Sequence, residues 1–337
     1  MERSPSGSRV TISDVAESAR VSKTTVSHVL SGKRPVAPLT RNRVLAAIAE
    51  LGYRPDGVAR TLRTRRSQMV AMIVPDIGNP FYTALARGLD HGMGGSEYRV
   101  VICNTDGRRD QELAFVAEMC DRGVDGIVLD SFAVSERALR EVTENAVPVA
   151  WIGGGTLDHP GVDTVKADDE RGAFDATIHL ARAGRRRIAM ITGTPGSGTP
   201  RNDGYARALE AAGMSVDTSL VRVGEWTSAG GARAMREIFE AREPPDAVFC
   251  ANDLMAIGAL ETVRARGLRV PEDVALVGFD DIDAAAMVTP PLTTVLNPAY
   301  ETGLTAGQLL ASRMTGEYRG EARHAVLPCA LVVRASA

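Results

Sequence analysis

The chain has 337 residues, of which 44% are hydrophobic and 24% are charged. Because a typical domain has about 150 residues, we expect the chain to form two or three domains. No apolar run approaches the ~20 residues that a membrane span needs, and the first residues lack the apolar core of a signal peptide, so we expect a cytoplasmic protein without a membrane partner. The four cysteines are far apart and form no CxxC pair, which argues against a disulfide scaffold or a zinc ribbon.

The net charge of −3 is unevenly distributed along the chain. Residues 1–66 contain 13 Lys and Arg against five Asp and Glu, which gives this segment a net charge of +8 and leaves −11 for the rest. A basic segment joined to an acidic one is typical of a protein that binds a polyanion through its basic part. A solvated arginine-rich tail is the alternative, but tails lack the apolar periodicity of this segment.

Three short helices are predicted in the basic segment. The first begins after Thr11, and Asp14 stands where the acid of a capping box belongs. Ser22 is placed to cap the second helix, and Gly32 to end it. A third helix is predicted over 38–51, with a core-facing side formed by Val44, Leu45, Ile48 and Leu51. The first two helices and the tight turn between them form a helix-turn-helix.

The outward side of the second helix carries small polar and basic side chains, namely Lys23, Thr24, Thr25, Ser27 and His28. Such a helix fits a major groove, with its first turn against base edges and its amides near phosphate. The alternative is the exposed face of an ordinary three-helix bundle. The charge of the segment favours double-stranded DNA as the partner.

The stretch ISDVAESARVSKTTVSHVLSGKRPV, which begins at Ile12, closely resembles the head of the lactose-repressor/galactose-repressor family of bacterial transcription regulators. The resemblance implies that Lys23, Thr24 and His28 read bases, and that Thr25 and Ser27 contact the DNA backbone. His28 replaces a frequent Arg, and a neutral imidazole donates one hydrogen bond where Arg donates two. We therefore expect a different operator preference at that base pair.

The segment 54–63 matches the hinge helix of the family. The resemblance implies that Ala59 and Leu62 contact DNA, with Leu62 as the wedge in the central base step. The implied domains are a helix-turn-helix domain over 1–54, a hinge over 55–67, and a ligand-binding and dimerisation domain over 68–337.

Two positions depart from the family pattern. Arg20 stands in the turn where the family usually has Gly, so it is strained if its φ is positive. Ala37 stands where Ser or Thr often caps the third helix, so that cap is expected to be weak.

From Met69 onward, apolar runs alternate with helical stretches. Strands are predicted at 69–74, 99–103, 126–130, 147–152, 187–192, 220–223, 247–250 and 274–279. Helices are predicted at 80–95, 108–122, 135–144, 169–183, 200–213, 228–240 and 253–266. This alternation predicts an α/β body of two doubly wound parallel-sheet subdomains with a cleft at the carboxyl ends of the strands.

The body resembles the type I periplasmic-binding-protein fold that this family carries behind its head. The resemblance implies three crossings between subdomains, near 166, 295 and 326. The implied N-subdomain covers about 68–166 and 296–325, and the implied C-subdomain covers about 167–295 and 326–337.

Candidate ligand contacts lie mostly in the loops after strands, namely Asn79, Phe81, Tyr82, Arg201, Trp226, Asn252 and Asp280. Arg201 begins RNDGYARAL, which resembles a family element whose Arg usually binds ligand. Trp226 matches a position that often forms an aromatic wall, although a core role is the alternative. Asn252 and Asp280 have helix or turn capping as their alternative roles.

An aromatic face beside a charged pair favours a small sugar as effector, with a purine or nucleoside as the alternative. Gly153 weakens the sugar interpretation, because it occupies a place where an acid often contacts sugar hydroxyls. We expect a homodimeric repressor of carbohydrate-related genes that binds a pseudo-palindromic operator, located in the bacterial cytoplasm at the nucleoid. No catalytic residue, metal or cofactor is predicted, and a two-lobed binding protein without a regulatory role is the competing class.

Overall fold

The computed structural model describes residues 10–32, 34–53, 66–95, 98–131, 136–144, 146–153, 159–194 and 199–337. The chain divides into two compact units, Met1–Ser67 and Gln68–Ala337. We call the first unit the head and the second the body.

The head contains three helices, α1 Ile12–Ser18, α2 Lys23–Ser31 and α3 Pro38–Leu51. The backbone N–H of Thr11 donates to the carboxylate of Asp14 at 2.7 Å, which closes the predicted capping box. At α2, the N–H of Thr25 donates to the Oγ of Ser22 at 3.1 Å, and Gly32 ends the helix with a φ of +64°. The predicted helical head is therefore confirmed.

The predicted core-facing side of α3 is wrong at one residue. Leu45 was expected in the core, but its side chain is 45% exposed, whereas Ala47 is buried. The apolar side of α3 follows Val44, Ala47, Ile48 and Leu51, which have the i, i+3, i+4, i+7 spacing of one helical face. Leu45 lies about 100° round the helix from Val44 and so points away from that face.

The turn before α2 and the start of α3 have the backbone features expected of their sequences. Arg20 has a φ of +53°, so it occupies the left-handed region that the family fills with Gly. Ala37 makes no side-chain hydrogen bond at the start of α3, where Pro38 stands in the first turn.

The strands of the body are β1 Met69–Val74, β2 Arg99–Asn104, β3 Gly126–Asp130, β4 Val149–Ile152, β5 Val162–Ala167, β6 Ile188–Thr192, β7 Val221–Val223, β8 Ala247–Cys250, β9 Ala275–Val277, β10 Thr294–Leu296, β11 His324–Leu327 and β12 Ala330–Val332. Its helices are α4 Pro80–Gly92, α5 Arg109–Asp121, α6 Glu136–Glu144, α7 Asp169–Arg182, α8 Thr199–Ala211, α9 Ser228–Ile238, α10 Asp253–Ala265, α11 Asp283–Met287 and α12 Ala299–Thr315. The predicted α/β body is confirmed.

The body has two parallel sheets, which define its two lobes. The first sheet has the strand order β11-β5-β4-β3-β1-β2, and the second has the order β7-β6-β8-β9. The chain leaves the first sheet after β5 and enters the second lobe at α7. It returns through β10 to α12, adds β11 to the first sheet, and leaves again to pair β12 antiparallel with β10.

Strand β5 was not predicted, because polar residues interrupt its apolar pattern. Asp163 is buried in this strand and accepts hydrogen bonds from Arg313 Nε at 2.7 Å and Arg323 Nη2 at 2.6 Å. Burial alone would raise the pKa of Asp163, but the hydrogen bonds from the two arginines outweigh it and lower the pKa. A buried carboxylate is therefore tolerated in β5 because distant residues pair with it.

Helices α4 and α12 pack backbone against backbone in the first lobe. A Cβ atom on Gly303 would lie 2.0 Å from the carbonyl oxygen of Leu85, and one on Gly88 would lie 2.0 Å from that of Tyr300. Both distances are far below van der Waals contact. Glycine is thus required at these two positions for the helices to approach so closely.

We expect Gly303→Ala to lower the stability of the body by about 1–3 kcal/mol, because the added methyl forces α4 and α12 apart. Thermal unfolding followed by circular dichroism measures the change. Glu301→Ala is the control, since Glu301 is exposed on the same helix. Equal melting temperatures for Gly303→Ala and the unsubstituted chain would contradict the packing described.

Candidate DNA-binding surface and effector cleft

Helix α2 exposes the polar side chains that the sequence singled out. Lys23 and Thr24 in its first turn are exposed, and Thr25, Ser27 and His28 are partly exposed. Val26, between them, is fully buried in the core of the head. The helix therefore presents its predicted DNA-facing side to the exterior. The predicted hinge contacts Ala59 and Leu62 lie outside the described residues.

The candidate effector site lies among residues that follow or adjoin the carboxyl ends of strands in the two lobes. The first lobe contributes Tyr82, near the start of α4, and Asp130, at the end of β3. The second lobe contributes Asp169 in α7, Arg201 in α8 and Asp280 after β9. We call these five side chains the cleft cluster. Among the predicted ligand contacts, it includes Tyr82, Arg201 and Asp280.

Arg201 is the cation of the cleft cluster, and its side chain is only 11% exposed. Its Nε donates to Asp169 Oδ1 at 3.2 Å, its Nη2 lies 3.5 Å from Asp280 Oδ1, and its Nη1 donates to the carbonyl of Ala251. Burial opposes the charge of Arg201, but Asp169 and Asp280 outweigh this effect and raise its pKa. The guanidinium is therefore charged and oriented.

Aromatic rings cover the faces of this guanidinium. The Cζ atom of Arg201 lies 3.8 Å from the ring centroid of Phe279 and 5.5 Å from that of Trp226. Cation–π attraction of this kind is strongest where water is excluded. The partly buried Trp226 also packs over Gly193, where a Cβ atom would lie 2.0 Å from its ring. Trp226 thus has the position expected of an aromatic wall beside the charged group.

Asp130 is an acid of the cleft that the sequence interpretation missed. It is 7% exposed, and burial raises its pKa to about 7, although the nearby Tyr82 hydroxyl opposes the shift. A Cβ atom on Gly153 would lie 3.5 Å from Asp130 Oδ1, so Gly153 leaves space beside this carboxylate. The acid that the family often has at Gly153 is absent, and Asp130 places a carboxylate next to that position. The sequence feature that could have identified Asp130 is its position directly after the apolar residues of β3.

Asp280 in the second lobe is influenced by residues outside its own strand. Its carboxylate accepts a hydrogen bond from Asn297 Nδ2 at 3.1 Å, and the nearby side chain of Asn79 in the first lobe acts to lower its pKa. Burial raises the pKa of Asp280 to about 6, and the nearby Arg201 opposes that shift. Asp280 has a φ of +108° and Asp281 one of +54°, so this turn has two consecutive non-glycine residues in a strained region.

The remaining candidates, Phe81 and Asn252, have identifiable local contacts. Asn252 is buried, caps α10 by accepting from Met255 N at 2.8 Å, and donates to the carbonyl of Trp226 at 3.0 Å. The capping role is therefore present, and Asn252 also positions Trp226. Phe81 packs edge-to-face on Tyr82, with 5.1 Å between ring centroids. Direct ligand contact by Phe81 and Asn252 stays a prediction.

The cleft has the chemistry of a binding site for a small polar molecule. Carboxylates and a guanidinium can bind hydroxyl or amine groups, and the aromatic rings can pack on an apolar ring face. Within the described ranges, no group of three or more His, Cys, Asp or Glu could hold a metal ion. No helix in those ranges is long and apolar enough to cross a membrane.

Comparison with known proteins identifies relatives of both units. Residues 11–56 match the family model of bacterial regulatory proteins of the lacI family, and residues 177–337 match a periplasmic binding protein-like domain. Catabolite control protein A of Priestia megaterium is 38% identical over 311 residues, covering 91% of this chain and 93% of that protein.

Solved structures of regulators also match almost the whole chain. A complex of the transcriptional regulator CelR with cellobiose is 36% identical, with a TM-score of 0.72, and the match covers 98% of this chain and 100% of that one. A lac repressor dimer bound to operator and an anti-inducer is 25% identical, with a TM-score of 0.83, and covers 98% of this chain and 99% of that one.

The raised pKa of Asp130 predicts a pH dependence of stability. The folded body keeps this proton up to a pH of about 7, whereas in the unfolded chain the carboxyl ionises near 3.8, so unfolding releases a proton between these values. The Asp130 contribution to the free energy of unfolding therefore falls as pH rises from about 4 to 7. Asp130→Asn should remove this part of the pH dependence of the free energy of unfolding and should stabilise the body above pH 7.

Urea unfolding of the two proteins between pH 5 and 8 measures this difference. The exposed Asp121→Asn serves as the control and should leave the pH profile unchanged. The prediction is contradicted if Asp130→Asn is less stable than the unsubstituted chain at pH 8 and its free energy of unfolding depends on pH in the same way. That result would show that the carboxylate is needed in its charged form.

Proposed function

The chain belongs to the LacI family of bacterial transcription regulators, and on this premise we propose that it represses carbohydrate-related genes under the control of a small sugar-like effector. It is a DNA-binding regulator rather than an enzyme. The observation that carries the proposal is the combination of two features in one chain. Helix α2 exposes polar residues on a basic head, and the body holds a buried guanidinium among carboxylates and aromatic rings.

The proposed DNA contacts are those of α2 and the hinge. Lys23, Thr24 and His28 read base edges, Thr25 and Ser27 contact the DNA backbone, and the hinge residues Ala59 and Leu62 act in the minor groove. The proposed domains are 1–54, 55–67 and 68–337, and the proposed subdomains of the body are about 68–166 with 296–325 and about 167–295 with 326–337.

A sugar is the first choice of effector. Arg201, Asp130 and Asp280 can bind hydroxyl groups, and Trp226 can pack on the C–H face of a sugar ring. The CelR structure contains cellobiose, and a LacI family regulator of Enterococcus faecium, 27% identical, has bound ribose. A purine or nucleoside is the alternative, which the aromatic Phe81 and Trp226 support because both can stack on a planar base.

The regulator acts as a homodimer on a pseudo-palindromic operator, in the cytoplasm and at the nucleoid. Two heads are needed for two half-sites, and the related lac repressor has been solved as a dimer on its operator. Effector binding and operator binding change each other's affinity by the same factor, because the two equilibria are linked. The interaction of Asn79 in the first lobe with the carboxylate of Asp280 in the second is one that a bound effector can alter.

Thr24→Ala should weaken operator binding about tenfold or more, because a lost base contact costs about 1–3 kcal/mol. Binding to a scrambled duplex of equal length should change little, since charge is unaltered. Fluorescence anisotropy at fixed salt measures both. Asn42→Ala, on the exposed side of α3, is the charge-neutral control. Equal loss on both duplexes would contradict base readout by Thr24.

Arg201→Lys should abolish the effect of the effector on operator binding, because an ammonium cannot reproduce the forked contacts of the guanidinium. A thermal-shift screen of sugars and nucleosides finds the effector, and operator binding is then measured with each hit. Arg207→Lys is the control, on the same helix with an exposed side chain. A chain that no sugar or nucleoside stabilises would contradict the proposed effector class.

A further inference from the structure

The turn that carries Asp280 is held in a strained conformation. Asp280 has a φ of +108° and Asp281 one of +54°, so the backbone enters a region that favours glycine at two consecutive positions. A conformation of this kind persists only where the surrounding structure imposes it. Contacts from outside the turn must therefore keep Asp280 in place.

Backbone hydrogen bonds fix the turn on either side of Asp281. The N–H of Asp280 donates to the carbonyl of Val295 at 2.9 Å, and the N–H of Ile282 donates to Asp253 Oδ2 at 2.9 Å. Val295 belongs to β10, through which the chain returns to the first lobe, and Asp253 is buried in the first turn of α10. The residue between these two bonds is Asp281, and it is held through its side chain.

The partner of the Asp281 side chain is Arg334. Arg334 Nη2 lies 2.6 Å from Asp281 Oδ1, and the two side chains are only 21% and 18% exposed. Nη1 of the same guanidinium donates to the carbonyl of Leu292 at 2.8 Å, and the backbone N–H of Arg334 donates to Thr293 Oγ1 at 2.9 Å. The guanidinium is therefore oriented by contacts other than the one with Asp281.

The segment around Arg334 is anchored on the second sheet. Two positions further on, Ser336 is fully buried, and its Oγ donates to the carbonyl of Leu276 in β9 at 2.6 Å and accepts from the N–H of Thr293 at 2.8 Å. The N–H of Leu276 donates in turn to the carbonyl of Ser336 at 2.8 Å. Arg334 thus extends from a fixed backbone, so it can act as a rigid support for the turn.

The carboxylate beside this support belongs to the cleft cluster. Asp280 Oδ1 lies 3.5 Å from Arg201 Nη2 and accepts from Asn297 Nδ2 at 3.1 Å. In a turn with fixed dihedral angles, the direction of one side chain is set by the backbone of its neighbour. The Arg334–Asp281 ion pair therefore bears directly on where the Asp280 carboxylate lies.

We propose that Arg334 is a positioning residue of the effector site, whose ion pair with Asp281 holds the turn that presents Asp280 to Arg201 and to the effector. The inference rests on the proposed function, since that function assigns Asp280 to effector binding. It adds a residue outside the cleft cluster on which the effector site depends.

The same arrangement connects the effector site to the strands that cross between the lobes. Arg334 follows β12, which pairs antiparallel with β10, and the backbone of Asp280 bonds to β10. The turn is therefore tied to one crossing strand by its backbone and to the other through Arg334. A displacement of these strands changes the direction of the Asp280 carboxylate, and a ligand that holds this carboxylate resists the displacement.

Hydrogen exchange of the full-length protein without ligand tests the support. In Arg334→Met, which removes the donors and keeps a long side chain, the amides of Asp280 and Ile282 should exchange about tenfold faster or more, because the turn opens locally. The amides of β6 should exchange as before. Arg269→Met is the matched control, since Arg269 pairs with Asp273 at 2.8 Å on the surface of the same lobe. Unchanged exchange of the turn in Arg334→Met overturns the proposal.

A spectroscopic measurement separates positioning from general stabilisation. The chain has two tryptophans, so Trp151→Phe leaves Trp226 as the reporter. The Cζ atom of Arg201 lies 5.5 Å from the Trp226 ring, and a guanidinium that loses Asp280 as its partner changes the charge beside the indole. In this background, Arg334→Met should shift the emission of the folded protein, and Arg269→Met should not. A lower melting temperature with unchanged emission shows a merely structural role and overturns the proposal.

Asp281→Asn tests the ion pair from its other side. Asn tolerates a positive φ as Asp does, so this change removes the charge and keeps the backbone preference. Arg334→Met, Asp281→Asn and the double variant should accelerate exchange by the same factor, because each removes the same interaction. Factors that multiply show that the two residues act independently, which overturns the inference. If Arg334→Met does not fold, the exchange and emission of Asp281→Asn decide.

Effector binding is measured by calorimetry with cellobiose and ribose as probes. For a sugar that binds, Arg334→Met should raise the Kd about tenfold or more through the loss of a charged hydrogen bond, and Arg269→Met should leave it unchanged. Faster exchange with an unchanged Kd shows that the sugar does not use Asp280, which overturns the inference. If neither sugar binds, exchange and emission decide the inference, whereas the thermal-shift screen of sugars and nucleosides decides the proposed effector class.

Discussion

The buried guanidinium of Arg201 is the group on which the cleft depends. A charge removed from water must be paired, and removal of one partner of a buried pair costs about 3–5 kcal/mol. Arg201 is paired with Asp169 at the start of α7, with Asp280 after β9 and with the Ala251 carbonyl after β8. One side chain therefore holds several strand and helix ends of the second lobe in a fixed arrangement.

The same cluster makes the cleft sensitive to its contents. The side chain of Asn79 influences the pKa of Asp280 across the lobes, and the Tyr82 hydroxyl interacts with Asp130 within the first lobe. These contacts use the polar groups that an effector would bind, so an occupant competes with them or adds to them. A regulator needs such competition, because a ligand shifts a conformational equilibrium only through different contacts in the two states.

The head and much of the body pattern could be predicted because their signals are local. The capping box of Thr11 and Asp14, the cap at Ser22 and the end of α2 at Gly32 each involve residues within a few positions. The buried parallel strands were found because both faces are covered, which makes them continuously apolar. Leu45 was wrongly assigned to the core because it is apolar and directly follows the buried Val44. Adjacent residues on a helix point about 100° apart, so Leu45 lies off the buried face.

The sequence by itself determined the charge division, the groove-facing helix and the alternation of strands and helices, all of which depend on neighbouring residues. Only the tertiary structure decided which polar side chains meet. Asp130 and Asp280 are 150 positions apart in the numbering, and Asn297 comes from a later crossing between the lobes. Strand β5 likewise depends on Asp163 meeting Arg313 and Arg323. Burial and pairing of charge arise from contacts between distant segments, and no local pattern encodes them.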